Sequence, residues 1–217
     1  MIAVIQCAAT KQPDAGCLRS GAGKPVMFVA NPDAAPRDDR HLYARPDDMS
    51  DRGLSWREVL LDYNRGGSNS LDLYPAWRLY QNSIYGMLVE RLGIEKVFVL
   101  SAGWGLIRAD FLTPAYDITF TQAAERYKRR QRSDTYHDFC MLCDDPQEAI
   151  IFFGSKSYVP LFPALTRAVR AERVVFYNSP PAPKAPGCTL VRFDTTTRTN
   201  WQYECAKAWL DGAIYLT

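Results

Sequence analysis

Residues 75–100 read PAWRLYQNSIYGMLVERLGIEKVFVL, and this stretch decides the fold class. Pro75 suits the first turn of a helix, and Trp77, Tyr80, Ile84, Leu88 and Leu92 then recur at helical spacing until Gly93 stops the pattern. Immediately afterwards Lys96–Leu100 is a short β-type apolar run. A helix that returns directly into a buried strand is the repeating step of an α/β sheet.

The same step recurs on either side. Ile2–Ile5 is an apolar run that gives way to the small and polar residues Gln6–Lys11, as a central strand ending in a loop does. Ala149–Phe153 is followed by Gly154, Ser155 and Lys156 and then by a predicted helix containing Leu161, Leu165 and Val169. Further strands are predicted at Arg173–Tyr177 and Thr189–Phe193, with a terminal helix over Asn200–Leu210 carrying Trp201, Cys205 and Trp209 at helical spacing. Ser55 with Glu58 three residues on reads as a capping box for a helix through Trp56, Val59, Leu60 and Tyr63. The expectation is a single α/β domain over residues 1–217, with a central, mostly parallel sheet of four to five strands flanked by helices. Residues 12–55, rich in Gly, Pro and Asp, are expected to form an irregular insertion or arm; Val26–Ala30 alone suggests a strand or half a hairpin.

Composition narrows the function classes. With 217 residues, 47% hydrophobic and 23% charged, the chain can bury a sizeable core, which excludes disorder, collagen and small disulfide scaffolds. No apolar run approaches the roughly 18 to 20 residues that a bilayer helix needs, and the start MIAVIQCAATK lacks the marks of a signal peptide. A soluble cytoplasmic protein with no membrane partner is expected, its six cysteines free and mostly buried. A net charge of +2 is too mild to announce a nucleic-acid binder by itself, so any such role rests on local patches.

Ligands of open α/β sheets bind outside the carboxyl ends of the strands, so the loops after each strand hold the candidate residues. The most informative runs from Ser101 to Asp117. Its small residues permit close backbone approach, Trp104 and Tyr116 offer faces for stacking, and the carboxylates of Asp110 and Asp117 suit the orientation of water or a developing cation. A packed loop, with Asp117 capping the segment after it, accounts for the same residues. Gly154-Ser155-Lys156, read as opening a helix, suits an anion such as a phosphate, although an ordinary N-cap explains Ser155 as well. Asn178 and Ser179 place an amide and a hydroxyl at a strand end before two prolines, as a ligand contact or a plain turn would. Arg126, Lys128, Arg129, Arg130 and Arg132 form the one dense basic run, either a solvated face or a focused track for phosphates.

Three motifs carry no assignment. Gly21-Ala-Gly-Lys24 lacks the first glycine and the hydroxyl residue of a P-loop, and Cys140-Met-Leu-Cys143 lacks a second ligand pair, so no metal is assigned. His41 and His137 are the only histidines, which disfavours a His-based triad. No cofactor is expected.

Cys7-Ala-Ala-Thr-Lys11 after the first strand, Leu100-Ser-Ala-Gly-Trp-Gly-Leu106 and Pro114-Ala-Tyr-Asp117 together resemble the YaaA-like superfamily of bacterial and phage proteins. There a strand runs into a Ser-Ala-x-x-Gly-Leu element followed by Pro-Tyr-Asp; here Ala115 separates Pro114 from Tyr116. The resemblance spans most of the chain, weakens across residues 12–55, and implies a fold similar to that of uracil-DNA glycosylases. Asn178-Ser-Pro-Pro looks like a degenerate form of their His-Pro-Ser-Pro loop, whereas their first-strand aspartate is absent, since Cys7–Lys11 holds no carboxylate. Within this group the chain is most similar to Brig-type anti-phage DNA glycosylases. The resemblance therefore implies an enzyme that flips a modified base, such as a glucosylated hydroxymethylcytosine, out of phage DNA and hydrolyses its N-glycosidic bond. Asp117, or else Asp110, would act on the sugar, and Asn178 and Gln6 would hold the departing base. Trp104 and Tyr116 would stack on that base, Cys7 and Ser101 would line its pocket, and Ser155, Lys156, Ser179, Lys11, Lys128, Arg129 and Arg130 would follow the flanking phosphates. Two other readings stay open: a non-catalytic DNA-binding stress protein, and a base-exchanging (deoxy)ribosyltransferase.

Overall fold

A computed structural model describes residues 1–144 and 146–214. In chain order, β1 (Ile2–Gln6), β2 (Val26–Val29) and β3 (Leu42–Ala44) precede α1 (Trp56–Arg65), β4 (Tyr74–Pro75), α2 (Ala76–Leu79) and α3 (Ile84–Leu92). The middle of the chain holds β5 (Val97–Ser101), β6 (Gly105–Arg108), β7 (Leu112–Thr113), β8 (Tyr116–Asp117) and β9 (Phe139–Cys140). The last part holds β10 (Ile150–Phe153), α4 (Leu161–Leu165), β11 (Arg173–Tyr177), β12 (Thr189–Arg192) and α5 (Trp201–Leu210).

The protein is an α/β chain built on a seven-stranded sheet of order β12-β11-β10-β1-β5-β6-β9. From β12 to β5 every neighbouring pair is parallel. These are the five strands expected from the sequence. Every residue of β1, β5 and β10 is buried, which is why each reads as an unbroken apolar run rather than an alternating one. The chain leaves β1 toward β5 on one side, and β10 resumes on the other side and leads outward to β11 and β12. A crevice between outgoing connections therefore opens at the carboxyl ends of β1 and β10.

Two further strands extend the sheet beyond the expected four or five. β6 folds back antiparallel to β5, pairing Gly105 with Ser101, and β9 runs parallel to β6. The reversal needs Gly105: its φ is +85°, and a Cβ there would lie 2.5 Å from the Phe139 carbonyl oxygen.

Helix α1 starts as expected, with Ser55 and Glu58 forming both arms of the capping box. The predicted helix from Pro75 to Leu92 is broken instead. Tyr80 is extended (φ −99°, ψ 140°) and bridges to Lys11, while Gln12 N–H donates to the Leu79 carbonyl. The loop after β1 thus draws this segment out of helical geometry, a tertiary contact overriding local periodicity. The helix expected from Gly154 onward begins only at Leu161 and ends at Leu165, and the Arg173 guanidinium donates to the Thr166 carbonyl at 2.9 Å. Val169 therefore lies beyond the helix, just past a turn over residues 166–168, and Ser155 is not a helix cap. Residues 12–55 carry the short strands β2 and β3. β2 pairs in parallel with both β3 and β8, and Leu18, Val26 and Phe28 join the common core. Among the described residues, no helix is long and apolar enough to cross a membrane. The six cysteines are free, but only Cys7 and Cys205 are fully buried, and Cys140 and Cys143 are exposed.

Candidate active site

The loops that leave β1 and β10 are tied together across the crevice. Gln6 Oε1 accepts the Ser155 N–H at 2.6 Å, the Gln6 carbonyl accepts the Tyr85 hydroxyl at 2.7 Å, and Cys7 Sγ lies 3.2 Å from the Tyr158 hydroxyl. Gln6 and Cys7 are themselves buried, so these ties lie beneath the surface of the crevice. Above them the end of β5 adds Ser101, whose hydroxyl donates to Tyr116 at 2.8 Å and accepts the N–H groups of Gly103 and Trp104. Tyr116 and Tyr80 share a further hydrogen bond at 2.8 Å. Burial pushes the phenols of Tyr80, Tyr85, Tyr116 and Tyr158 well above their ordinary value, so this wall is polar and uncharged at neutral pH.

Beside this buried network lies a cleft of about 400 Å³, lined by Lys11, Asp117, Thr119, Glu125, Lys128 and, of the four phenols, Tyr158, among others. That volume falls within the range of small-ligand sites. Asp117 is placed there by β8, where it pairs with Val29 of β2. Beyond it the chain loops back so that Thr119 N–H donates to the Lys128 carbonyl and Arg130 N–H to that of Thr119. This return brings Lys128 Nζ to 2.9 Å from Asp117 and 2.6 Å from Glu125, and those two partners raise the ammonium well above the usual lysine range. Lys11 is held differently. Its Nζ lies 4.2 Å from the centre of the Tyr116 ring and, among the described residues, makes only long hydrogen bonds, 3.5 and 3.4 Å, to the carbonyls of Ala8 and Ala9. Burial lowers its pKa, with Lys128 adding to the fall and Cys7 and Asp117 opposing it. Two lysines in one cleft are therefore driven apart in basicity, a pattern that separates acid from base roles.

A second, wider hollow of about 790 Å³ adjoins this one, and Thr121 lines both. Arg132, Ser155, Lys156 and Ser157 are on its walls, with Arg132 and Lys156 exposed. Since no helix starts at Gly154, Ser155 does not stand at an anion-binding helix end; the hydroxyls and the exposed Lys156 remain.

Other residues singled out from the sequence are used elsewhere. Asp110 follows β6, and because β6 is antiparallel it lies at the amino end of the parallel strands, where Ala109 N–H donates to the Val97 carbonyl. There Asp110 forms a bidentate pair with Arg108, away from Asp117. Trp104 is fully buried, its ring 5.0 Å from that of Phe28, so it offers no stacking face. Tyr116 is buried too, and presents its ring to Lys11. The basic run is largely consumed by internal partners. Arg130 pairs with Asp138 through both terminal nitrogens and donates to the Ala102 carbonyl, Arg129 donates to the Gln122 carbonyl, and Lys128 is held as described. Arg126 and Arg132 are its exposed members. Asn178 and Ser179 stand at the end of β11, two strands from β1; the Asn178 amide donates to the Thr197 carbonyl at 3.5 Å and the Ser179 hydroxyl to that of Pro181 at 3.2 Å.

Tyr80, Tyr158 and Glu125 were not anticipated in the site. Tyr80 looked like a core position of a helix, and Glu125 gave no signal beyond its place three residues before Lys128. No protein-family model, curated protein or solved structure matches the chain.

Proposed function

We propose that this protein is a DNA N-glycosylase that binds a flipped, modified nucleotide in the cleft between Lys11 and Asp117 and hydrolyses its N-glycosidic bond. The observation that carries the reading is a half-exposed carboxylate, Asp117, sharing a cleft with Lys11 and the uncharged phenol of Tyr158 at the sheet's switch point, beside an open hollow lined by Arg132 and Lys156. As the base departs with the bonding electrons, positive charge grows on the sugar. Asp117 is the group that stabilises this cation and orients the attacking water, on the same electrostatic logic as in glycosidases. The adjoining hollow suits the flanking phosphates, with Lys156, Arg132 and the hydroxyls of Ser155 and Ser157 as donors. A uracil-DNA-glycosylase-like fold, and phage DNA with glucosylated or otherwise modified cytosine as the target in antiviral defence, rest on the sequence resemblance.

One observation favours the alternative of a DNA-binding module without catalysis: Asp117 is already ion-paired with Lys128. The test is incubation with DNAs carrying canonical, uracil, hydroxymethylated and glucosylated cytosines, with alkali to reveal abasic sites. A glycosylase releases base from one modified DNA, and Asp117→Asn lowers turnover about 100-fold or more while binding is kept. A binder yields no abasic sites and keeps its affinity in both forms. Base exchange with added free base would identify a transferase.

A further inference from the structure

We propose that Lys11 is a nucleophilic lysine that condenses with the aldehyde of an abasic deoxyribose and cleaves the DNA strand at that sugar, so that the site carries a lyase activity in addition to base release. This proposal rests on the glycosylase reading for its substrate, but its chemistry needs only an abasic sugar in the cleft.

The geometry sets Lys11 apart from the other lysine of the site. Lys128 is clamped between two carboxylates and raised in basicity, which makes it a permanent cation. Among the described residues, the contacts of Lys11 Nζ are the Tyr116 and Tyr80 ring faces and two carbonyls at the limit of hydrogen bonding. Its stem emerges from the loop after β1, anchored by the bridge between Lys11 and Tyr80 and by Gln81 Nε2 donating to the Lys11 carbonyl at 2.9 Å. The amine thus has a fixed base, lines the cleft and is not committed to a salt bridge. Desolvation favours its neutral form, the form that attacks carbonyl carbon.

The step balances with groups already present. The neutral Nζ attacks C1′ of the ring-opened sugar, forming an N–C bond, and the carbonyl oxygen leaves as water, carrying one proton from Nζ and one from solvent, to give an iminium. Asp117, across the same cleft, accepts a proton from C2′, and that electron pair expels the 3′ oxygen, so the C3′–O bond breaks and the downstream strand departs with a 5′ phosphate. Water then hydrolyses the imine, restoring the lysine and releasing an unsaturated aldehyde on the upstream strand. No oxidant or reductant enters.

The probe is a 5′-labelled oligonucleotide, single- and double-stranded, carrying one abasic site made beforehand by treating uracil-DNA with a uracil glycosylase. Incubation of the whole protein with this DNA and sodium borohydride is expected to trap a covalent adduct, and omission of borohydride to give strand cleavage without alkali. Peptide mass spectrometry should place the adduct on Lys11, and Lys11→Ala and Lys11→Arg should lose it. The α-amine of Met1, ion-paired with Glu148 at the far end of β1, is the competing site that the mass map separates. An adduct elsewhere, or none on either DNA form with folded wild-type protein, overturns the proposal. Because the abasic site is supplied, an adduct without base release from any modified DNA would refute the glycosylase reading alone, and base release without an adduct would refute this one alone.

Discussion

Arg130 offers the sharpest separation of a structural from a DNA-binding role, because it sits in a basic run yet points inward. Both it and Asp138 have side chains only 5% exposed, and they meet in a bidentate pair at 3.0 and 2.6 Å. The guanidinium also lies 3.8 Å over the Tyr136 ring and 5.3 Å from that of Phe120. Arg130→Met keeps much of the side-chain volume but strands the Asp138 carboxylate, and breaking one side of a buried pair costs about 3–5 kcal/mol. For a chain of this length each kcal/mol shifts Tm by about 2–4 °C, so the expected fall is roughly 6–20 °C by thermal unfolding. The loss should depend on pH in a set direction. Burial already holds the Asp138 carboxyl above its ordinary 3.8, against the pull of Arg130. A carboxyl raised in the folded state contributes stability that is present below its unfolded pKa and is lost as pH rises through the folded one. Removing Arg130 raises it further, so the deficit is greatest at neutral pH, shrinks as pH falls toward 3.8, and is largely relieved by adding Asp138→Asn. The slope of DNA affinity against salt should stay unchanged. A variant that melts like the wild type but whose salt slope is shallower by about 0.9, the signature of one lost phosphate contact, would refute this reasoning.

Three more outcomes are expected of the site and its frame. Lys156→Ala and Arg132→Ala should weaken DNA binding similarly across sequences, each making the salt slope shallower by roughly 0.9, measured by fluorescence anisotropy. Gly105→Ala should destabilise the protein by about 1–2 kcal/mol from the left-handed backbone alone, and by more because the new methyl meets the Phe139 backbone; the midpoint of urea unfolding should fall. Borohydride trapping should rise with pH along a curve whose midpoint lies below the ordinary lysine value of 10.5, since burial and Lys128 lower Lys11 against the opposing pull of Cys7 and Asp117, while the neighbouring phenols of Tyr80 and Tyr116 stay protonated. A midpoint at or above 10.5 would remove desolvation from the account of this lysine.

The central strands were legible because burial on both faces writes itself as consecutive apolar residues, and α1 because its cap is local: Ser55 and Glu58 are three residues apart. What escaped depends on partners distant in sequence. β6 looked like loop because its pairing needs a turn at Gly105, packed under Phe139, and the helix broke at Tyr80 because Lys11 bridges to it. The site divides in the same way. Lys11 and Asp117 were named from loops at strand ends, and the fold brings them to one cleft. Asp110 lies only two residues past β6, but the direction of that strand carries it to the other end of the sheet. Residue type marked Trp104 and Arg130 as possible contacts with a ligand, and the packing of Phe28 and the charge of Asp138 instead took them inside.

The chain of hydroxyls from Ser101 through Tyr116 to Tyr80 bears on how the cleft responds to charge. The relay itself carries no net charge, and it lies behind Lys11, whose Nζ sits 4.2 Å from the centre of the Tyr116 ring. Its dipoles are nevertheless able to turn: the proton between Tyr116 and Tyr80 can be donated from either oxygen at the same 2.8 Å separation. Reversing that proton changes the polarity of the relay without moving a heavy atom. The relay can therefore answer a transient charge as fast as an O–H bond reorients, which a row of backbone amides fixed in a strand cannot do.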